Sequence, residues 1–183
     1  MTTSLRVTHG LSIGWNFNKI PLIGTLQNAG RLSASCTLSQ GNSGVLAQAN
    51  MTYQGEGVVT AGSPITDLNL WGVLQDVFED VIDFATIKML FIQNNGTPNG
   101  SGGFVLNPDA VLLVGGAGSA GHAWDAPFNG NVDCQLTCGA GDHIFMTNRL
   151  AGWPVANNSS NILRLQHSGT EDIAWTLFLA GVM

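Results

Sequence analysis

Charge is what this chain has least of. Charged side chains make up 10% of its 183 residues, against roughly 25% in an average globular domain. Only six are basic (Arg6, Lys19, Arg31, Lys88, Arg149 and Arg164), and no two of them are adjacent. With a net charge of -6 and no basic stripe, the chain lacks the footprint that a polyanion needs, so direct nucleic-acid binding is not expected. A run of roughly 18 apolar residues is also missing, so no membrane-spanning helix is expected. The opening MTTSLRVTHG has no apolar stretch behind a basic one, and no targeting segment is expected. Cysteine is scarce and odd in number: Cys36, Cys134 and Cys138. Three such residues fit free thiols in a protein made in a reducing cytoplasm.

What remains is apolar and glycine-rich. Hydrophobic residues are 44% of the chain and glycines number 24. Disorder needs high charge and few apolar residues, so it is excluded. A chain of this length is one domain by default and buries enough surface to need no disulfide or metal. Two accounts fit a surface so poor in charge. Subunit interfaces are depleted in Lys, Glu and Asp, and a neutral Asn/Ser/Thr/Gly surface would look the same in composition.

The clearest pattern lies between Asn161 and Met183. Leu163 and Leu165 alternate with Arg164 and Gln166; Ile173, Trp175, Leu177 and Leu179 then recur opposite Ala174, Thr176 and Phe178. Period two on both sides of the loop Ser168-Gly169-Thr170-Glu171-Asp172 predicts an antiparallel hairpin, with the last strand inside a sheet. Shorter strands are expected at Leu5 to Thr8 and Leu11 to Trp15, broken by Gly10 and Gly14. Others are expected at Leu32 to Leu38, Val45 to Tyr53, Gly57 to Thr60, Ala85 to Gln93 and Ala110 to Val114. Gln54-Gly55 reads as a turn, and Asn94 to Gly103 as a long flexible loop. One helix is expected from about Asp67 to Val81, where Leu70, Val73, Leu74, Val77, Phe78 and Val81 fall at three- and four-residue spacing, with Thr66 or Asp67 as cap. Its carboxylates Asp76, Glu79, Asp80 and Asp83 lack the alternating ligands and central glycine of a calcium loop and read as a solvated face. The fold class is therefore all-β: an antiparallel β-sandwich or jelly roll with one short helix. Residues 1–30 form an N-terminal arm or first strands, and 31–183 a single sandwich domain.

No motif names a reaction. Gly116-Ala117-Gly118-Ser119-Ala120-Gly121 is a formal GxGxxG after a strand, but His122 to Gly130 contains Pro127 and an Asn-Gly turn instead of the helix that a dinucleotide needs. A glycine-rich turn is the better reading. Cys134 and Cys138, with His122, Asp125 and His143 nearby, have a spacing that zinc permits, yet a second compact ligand pair is absent. Buried thiols in a strand are the simpler account. His9, His122, His143 and His167 sit in separate contexts with no nucleophile elbow, and His167 is expected to be exposed at its turn. No Asp/Glu pair stands out for glycoside hydrolysis, so no enzyme activity is expected, and no cofactor or metal. Among five tryptophans, Trp175 alternates with apolar neighbours and reads as core. Trp124 and Trp153 lie in turn-rich segments and are candidates for ligand or subunit contact. Phe128, Asn95 and Asn99 complete the candidate set.

The order of DFATIKMLFIQNNG, VLLVGGAGSAGHAWDAPF, CGAGDHIFMTN and GWPVANNSSNILRLQHSGTEDIAWTLFLAG resembles small virion proteins of tailed bacteriophages across roughly residues 84–181. Ala140-Gly141-Asp142 stands where such proteins more often carry paired glycines. The resemblance rests on turn patterns. It implies a noncatalytic β-sandwich carried on the virion, most specifically a capsid decoration (cement) protein, and it carries over no functional residue. The implied partners are further copies of the chain, as a trimer by analogy with capsid threefold positions, and the major capsid protein or other virion proteins. A receptor- or carbohydrate-binding module of a phage tail or fibre is the alternative, using Trp124, Trp153 and the glycine loop 94–103.

Overall fold

Alternation of apolar and polar residues recurs along the chain, and strands follow it. The computed structural model describes residues 5–19, 26–42, 46–76, 79–116, 121–167 and 169–183, with side chains of the first two strands described at 5–8, 10, 12, 33 and 35–40. In order, the strands are β1 (Arg6–Lys19), β2 (Leu26–Gln40), β3 (Gln48–Ala49), β4 (Met51–Val59), β5 (Ile65–Asn69), β6 (Trp71–Gln75), β7 (Val81–Asp83) and β8 (Thr86–Pro98). They continue as β9 (Phe104–Val105), β10 (Leu112–Gly115), β11 (Gln135–Cys138), β12 (His143–Thr147), β13 (Trp153–Pro154), β14 (Ile162–His167) and β15 (Ile173–Val182).

Eight of these strands build two sheets, ordered β4-β15-β8-β12 and β5-β14-β10-β11. The pairs β4·β15, β5·β14, β8·β12 and β10·β11 are antiparallel and nested one inside the next. Successive levels of the nest alternate between the sheets, and β15·β8 and β14·β10 join them edge to edge. This is the connectivity of a jelly roll within an all-β sandwich. The inner faces meet through Leu112, Val114, Leu163 and Leu165 from one sheet and Leu90, Ile92, Trp175, Leu177 and Leu179 from the other. Each such side chain contributes about 1.5–3 kcal/mol of burial free energy. Trp175 is core, as its alternation predicts.

Two local expectations are corrected. The three- and four-residue spacing from Asp67 to Val81 does not make a helix. β5 pairs with β14, and β6 and β7 pair with each other. Gly72 takes a φ of 75° inside β6, and Val73 and Val81 lie exposed. Asp76 closes the turn by accepting the Asp80 N–H at 3.0 Å. Pairing with β14 outweighs a weak helical period in a segment that Gly72 interrupts. Val77 and Phe78 lie outside the described residues. The short helix among the described residues is the 3-10 turn Ala126–Phe128, opened by Pro127. The closing hairpin is also absent. β14 and β15 belong to different sheets, so the loop between them is a sheet-to-sheet crossing. β15 does lie inside a sheet, between β8 and β4.

β1 and β2 form a separate ribbon, with fourteen strand residues in β1 paired from Arg6↔Ser39 to Lys19↔Leu26. At about 3.3 Å per residue it runs roughly 45 Å. Gly10 and Gly14 do not break it, and the boundary expected at residue 30 falls inside β2. The register pairs Val7 with Leu38, and both side chains are buried on the face that also carries Cys36. Thr8, Gly10 and Ser12 fall on the other face with Thr37, Ser35 and Ser33. At the base, Val7 and Leu38 pack with Ala49, Met89 and Ala180, joined by Phe145 and Phe178, on the outer face of the β4-β15-β8-β12 sheet.

Candidate interaction surfaces

The candidate residues separate into two groups that do not meet. The first is aromatic and structural. The segment after β10 is tied beside β14 by an Ala123–Ile162 bridge and by the Trp124 N–H donating to Ile162 O at 2.8 Å. This turns the Trp124 ring inward, where it is 1% exposed. Its Nε1–H donates to Pro154 O at 2.9 Å. Trp153 meets it edge-to-face, with ring centroids 6.3 Å apart and planes at 89°. Phe128 is buried against Gly115, which has a φ of 101° and where a Cβ would lie 3.1 Å from the phenyl ring and 2.6 Å from Cys134 O. Gly115, the last residue of β10, thus makes room for Phe128. Residues 117–120 of the GxGxxG stretch lie outside the described residues. Trp124 and Phe128 present no ring to a ligand, and Trp153 is half-buried upon Trp124.

The second group is the asparagine segment at the end of β8, where β8 does not end at Gln93. It continues to Pro98 and pairs with β9 through Thr97↔Val105 and Pro98↔Phe104. The expected long loop shrinks to a tight turn that Asn99 organises. The Asn99 Oδ1 accepts N–H groups from Ser101 at 3.1 Å and Gly103 at 2.8 Å. Asn95 is half-buried and its Nδ2 donates to Thr176 Oγ1 at 2.9 Å. Beside it, Glu56, Gly57, Val58, Phe104, Ala174 and Trp175 line an open cavity of about 240 Å3. Phe104 is 52% and Val58 42% exposed.

Asn94, which the sequence pattern did not single out, is wholly buried. Its Nδ2 donates to Ala110 O at 2.8 Å and Cys138 O at 2.9 Å, and its Oδ1 accepts the Gly96 N–H at 2.9 Å. It holds β8 to the entry of β10 and the end of β11. Burial pushes the Cys138 thiol above its ordinary pKa, and the Asp142 carboxylate adds to that rise against the Asn94 contact. This environment disfavours the thiolate that zinc would need. Among the described residues, no group of three or more His, Cys, Asp or Glu side chains gathers as a metal site.

His167 is buried, contrary to expectation. Its Nδ1 accepts the Gly169 N–H at 3.1 Å, which leaves Nε2 protonated to donate to Thr60 O at 3.2 Å. Asp67, expected as a helix cap, instead meets Arg164 in a two-bond fork, with Nε–Oδ1 2.7 Å and Nη2–Oδ2 2.8 Å. The Asp67 hydrogen bond raises the Arg164 pKa, against desolvation. Lys88 is also buried; its Nζ donates to Leu46 O and, at 3.1 Å, to Leu150 O. It ties the loop after the ribbon to the loop after β12, and desolvation lowers its pKa.

The outer face of the β4-β15-β8-β12 sheet is more apolar than a solvated face requires. Phe145, Phe91 and Phe178 sit directly opposite one another across β12, β8 and β15, each half-buried. Phe145 and Phe178, at the two ends of this aromatic row, pack against the cluster at the ribbon base. No known protein family, curated protein or solved structure matches this chain.

Proposed function

We propose that this chain is a noncatalytic structural virion protein, most specifically a capsid decoration protein that self-associates and binds the capsid lattice. The observation that carries the reading is the β1–β2 ribbon. An isolated two-stranded ribbon is marginal in water, and this one runs on from its buried base at Val7 and Leu38 through ten further paired positions, Gly10↔Ser35 to Lys19↔Leu26. Such a ribbon gains stability by lying across other subunits, which is how a cement protein would bridge them. The chain's low charge suits broad protein-facing contact. Its free thiols, Cys36, Cys134 and Cys138, suit assembly in a reducing cytoplasm before the particle is released. The likeness of residues 84–181 to small phage virion proteins points the same way. A trimer placed at capsid threefold positions is the expected form. Co-sedimentation of the purified protein with empty capsids of its source particle tests the reading. Saturable binding supports it, and protein left wholly in the supernatant refutes it.

One observation favours a second reading, a receptor- or carbohydrate-binding module of a phage tail or fibre. The cavity beside Asn95 joins an exposed phenyl ring, Phe104, to the polar groups of Asn95 and Glu56. A sugar could stack on Phe104 and bond to the other two, a role that buried Trp124 cannot fill. Saturable glycan binding that Phe104→Ala abolishes without loss of fold would move the weight here.

A further inference from the structure

The cavity beside Asn95 is shaped by the backbone of β8. Trp175 pairs with Asn94 and Ala174 with Gly96, so Asn95 is an extra residue between them. A bulge of this kind re-aims its side chain. The Asn95 amide reaches Thr176, and Glu56 of β4 lies directly opposite Thr176 on its other side. Glu56 and Asn95 therefore flank β15 on the outer face of its sheet. Gly96 takes a φ of 93°, and a Cβ there would lie 2.5 Å from Val105 O. Glycine is what lets β9 approach this closely, and β9 carries Phe104 to the wall of the cavity. Val58, opposite Ala174, completes its apolar side.

The side chains around this cavity attract positive charge. Glu56 is exposed, and among the described residues its carboxylate is in no ion pair. No Lys, Arg or His lines the cavity. The Asn95 Nδ2 is engaged with Thr176 Oγ1 at 2.9 Å, which leaves Oδ1 to accept. The face of the Phe104 ring, 52% exposed, presents the negative side of its quadrupole. The chain's net charge of -6 adds a field of the same sign. An acidic sugar meets like charge here, and a neutral one leaves the Glu56 charge unanswered. We infer that the cavity selects an amino sugar with a free ammonium group, its apolar ring face on Phe104 and its ammonium against Glu56 and Asn95. A volume of about 240 Å3 suits a single sugar ring. The inference rests on the carbohydrate-binding reading above and adds selection by charge to it.

Calorimetric titration of the full chain tests it, with glucosamine, glucose, N-acetylglucosamine, glucuronate and ethylammonium at one ionic strength and a pH that keeps the amines charged. Glucosamine is expected to bind at one site at least about tenfold more tightly than glucose. Acetylation of its amine should remove that advantage, glucuronate should not bind, and added salt should weaken the preference. Glu56→Gln, at an exposed position, is expected to keep the wild-type melting profile and to bring glucosamine down to the level of glucose. Phe104→Ala should weaken both sugars together. Glucosamine that binds no better than glucose overturns the inference, as does a preference that Glu56→Gln leaves intact. The two readings fail separately. If all the neutral sugars bind as well as glucosamine, the carbohydrate reading stands and charge selection falls. If ethylammonium binds through Glu56 and no sugar does, the ligand is not a sugar, which overturns the inference together with the carbohydrate reading.

Discussion

Asn94 and Asn95 are neighbours of identical chemistry, and the structure gives them opposite weights. Asn94→Leu keeps the size of the side chain and removes its amide. Ala110 O and Cys138 O then lose a donor, and the Gly96 N–H loses its acceptor, all in a site with no solvent access. A buried polar group left unpaired costs about 1–3 kcal/mol. Carbonyls with a second partner soften that, so the expected loss is about 3–5 kcal/mol. In a chain of this size 1 kcal/mol moves Tm by about 2–4 °C, so Tm should fall by roughly 6–20 °C. Asn95→Ala removes one bond to Thr176 from a half-buried side chain and should cost no more than about 1 kcal/mol. Urea unfolding followed by tryptophan fluorescence reads both as a shift in midpoint at constant slope. If Asn94→Leu stays within about 0.5 kcal/mol of wild type, or Asn95→Ala costs as much, the reasoning fails.

Other outcomes follow from the same contacts. His167→Phe leaves the Gly169 N–H and Thr60 O without their ring partner, and should lower stability by about 1–3 kcal/mol in chemical denaturation. Asp67→Asn breaks the fork to Arg164, which is 7% exposed, and the denaturation midpoint should fall by about 1.5–3 kcal/mol. Lys88 gives a pH signature. Its folded pKa lies below the ordinary 10.5, so between those two values the unfolded chain binds the extra proton. The Lys88 contribution to stability therefore rises with pH through that window. Tyr53 and Cys138, whose pKa values are raised by burial, act oppositely in alkali as they lose stability on ionising. The difference between wild type and Lys88→Met isolates the lysine. It should shift in favour of the wild type as pH climbs toward 10.5, and a pH-independent difference would contradict the assignment.

The strands that face the core were legible because period two survives in them. Ile173, Trp175, Leu177 and Leu179 are buried as their alternation predicts. What alternation does not encode is the partner. The pattern on either side of residues 168–172 suits a hairpin and a sheet crossing equally well, and only the nested pairing of β14 with β5 and β15 with β4 decides. The same gap explains the false helix. Leu70 and Leu74 reach the core from a turn and a strand, at spacing that imitates a helical face. For the candidate site, Trp124 and Trp153 read as candidates for ligand or subunit contact because they lie in turn-rich segments, yet a backbone tie to β14 turns Trp124 inward. Asn94 and His167 carry no sequence signal, because their partners are backbone groups far along the chain. Residues 1–30 read as an arm or as first strands, and the alternation of Leu11, Ile13, Trp15 and Phe17 in the sequence could have extended the first strand through both glycines.

The most direct test of the account is the occupancy of purified chain on empty capsids, read by sedimentation as protein is titrated. The account predicts binding that saturates at a fixed ratio to capsid subunits, set by lattice symmetry, and that is lost when residues 8–37 are replaced by a short turn. Binding that never saturates, or that survives removal of the ribbon unchanged, would contradict it.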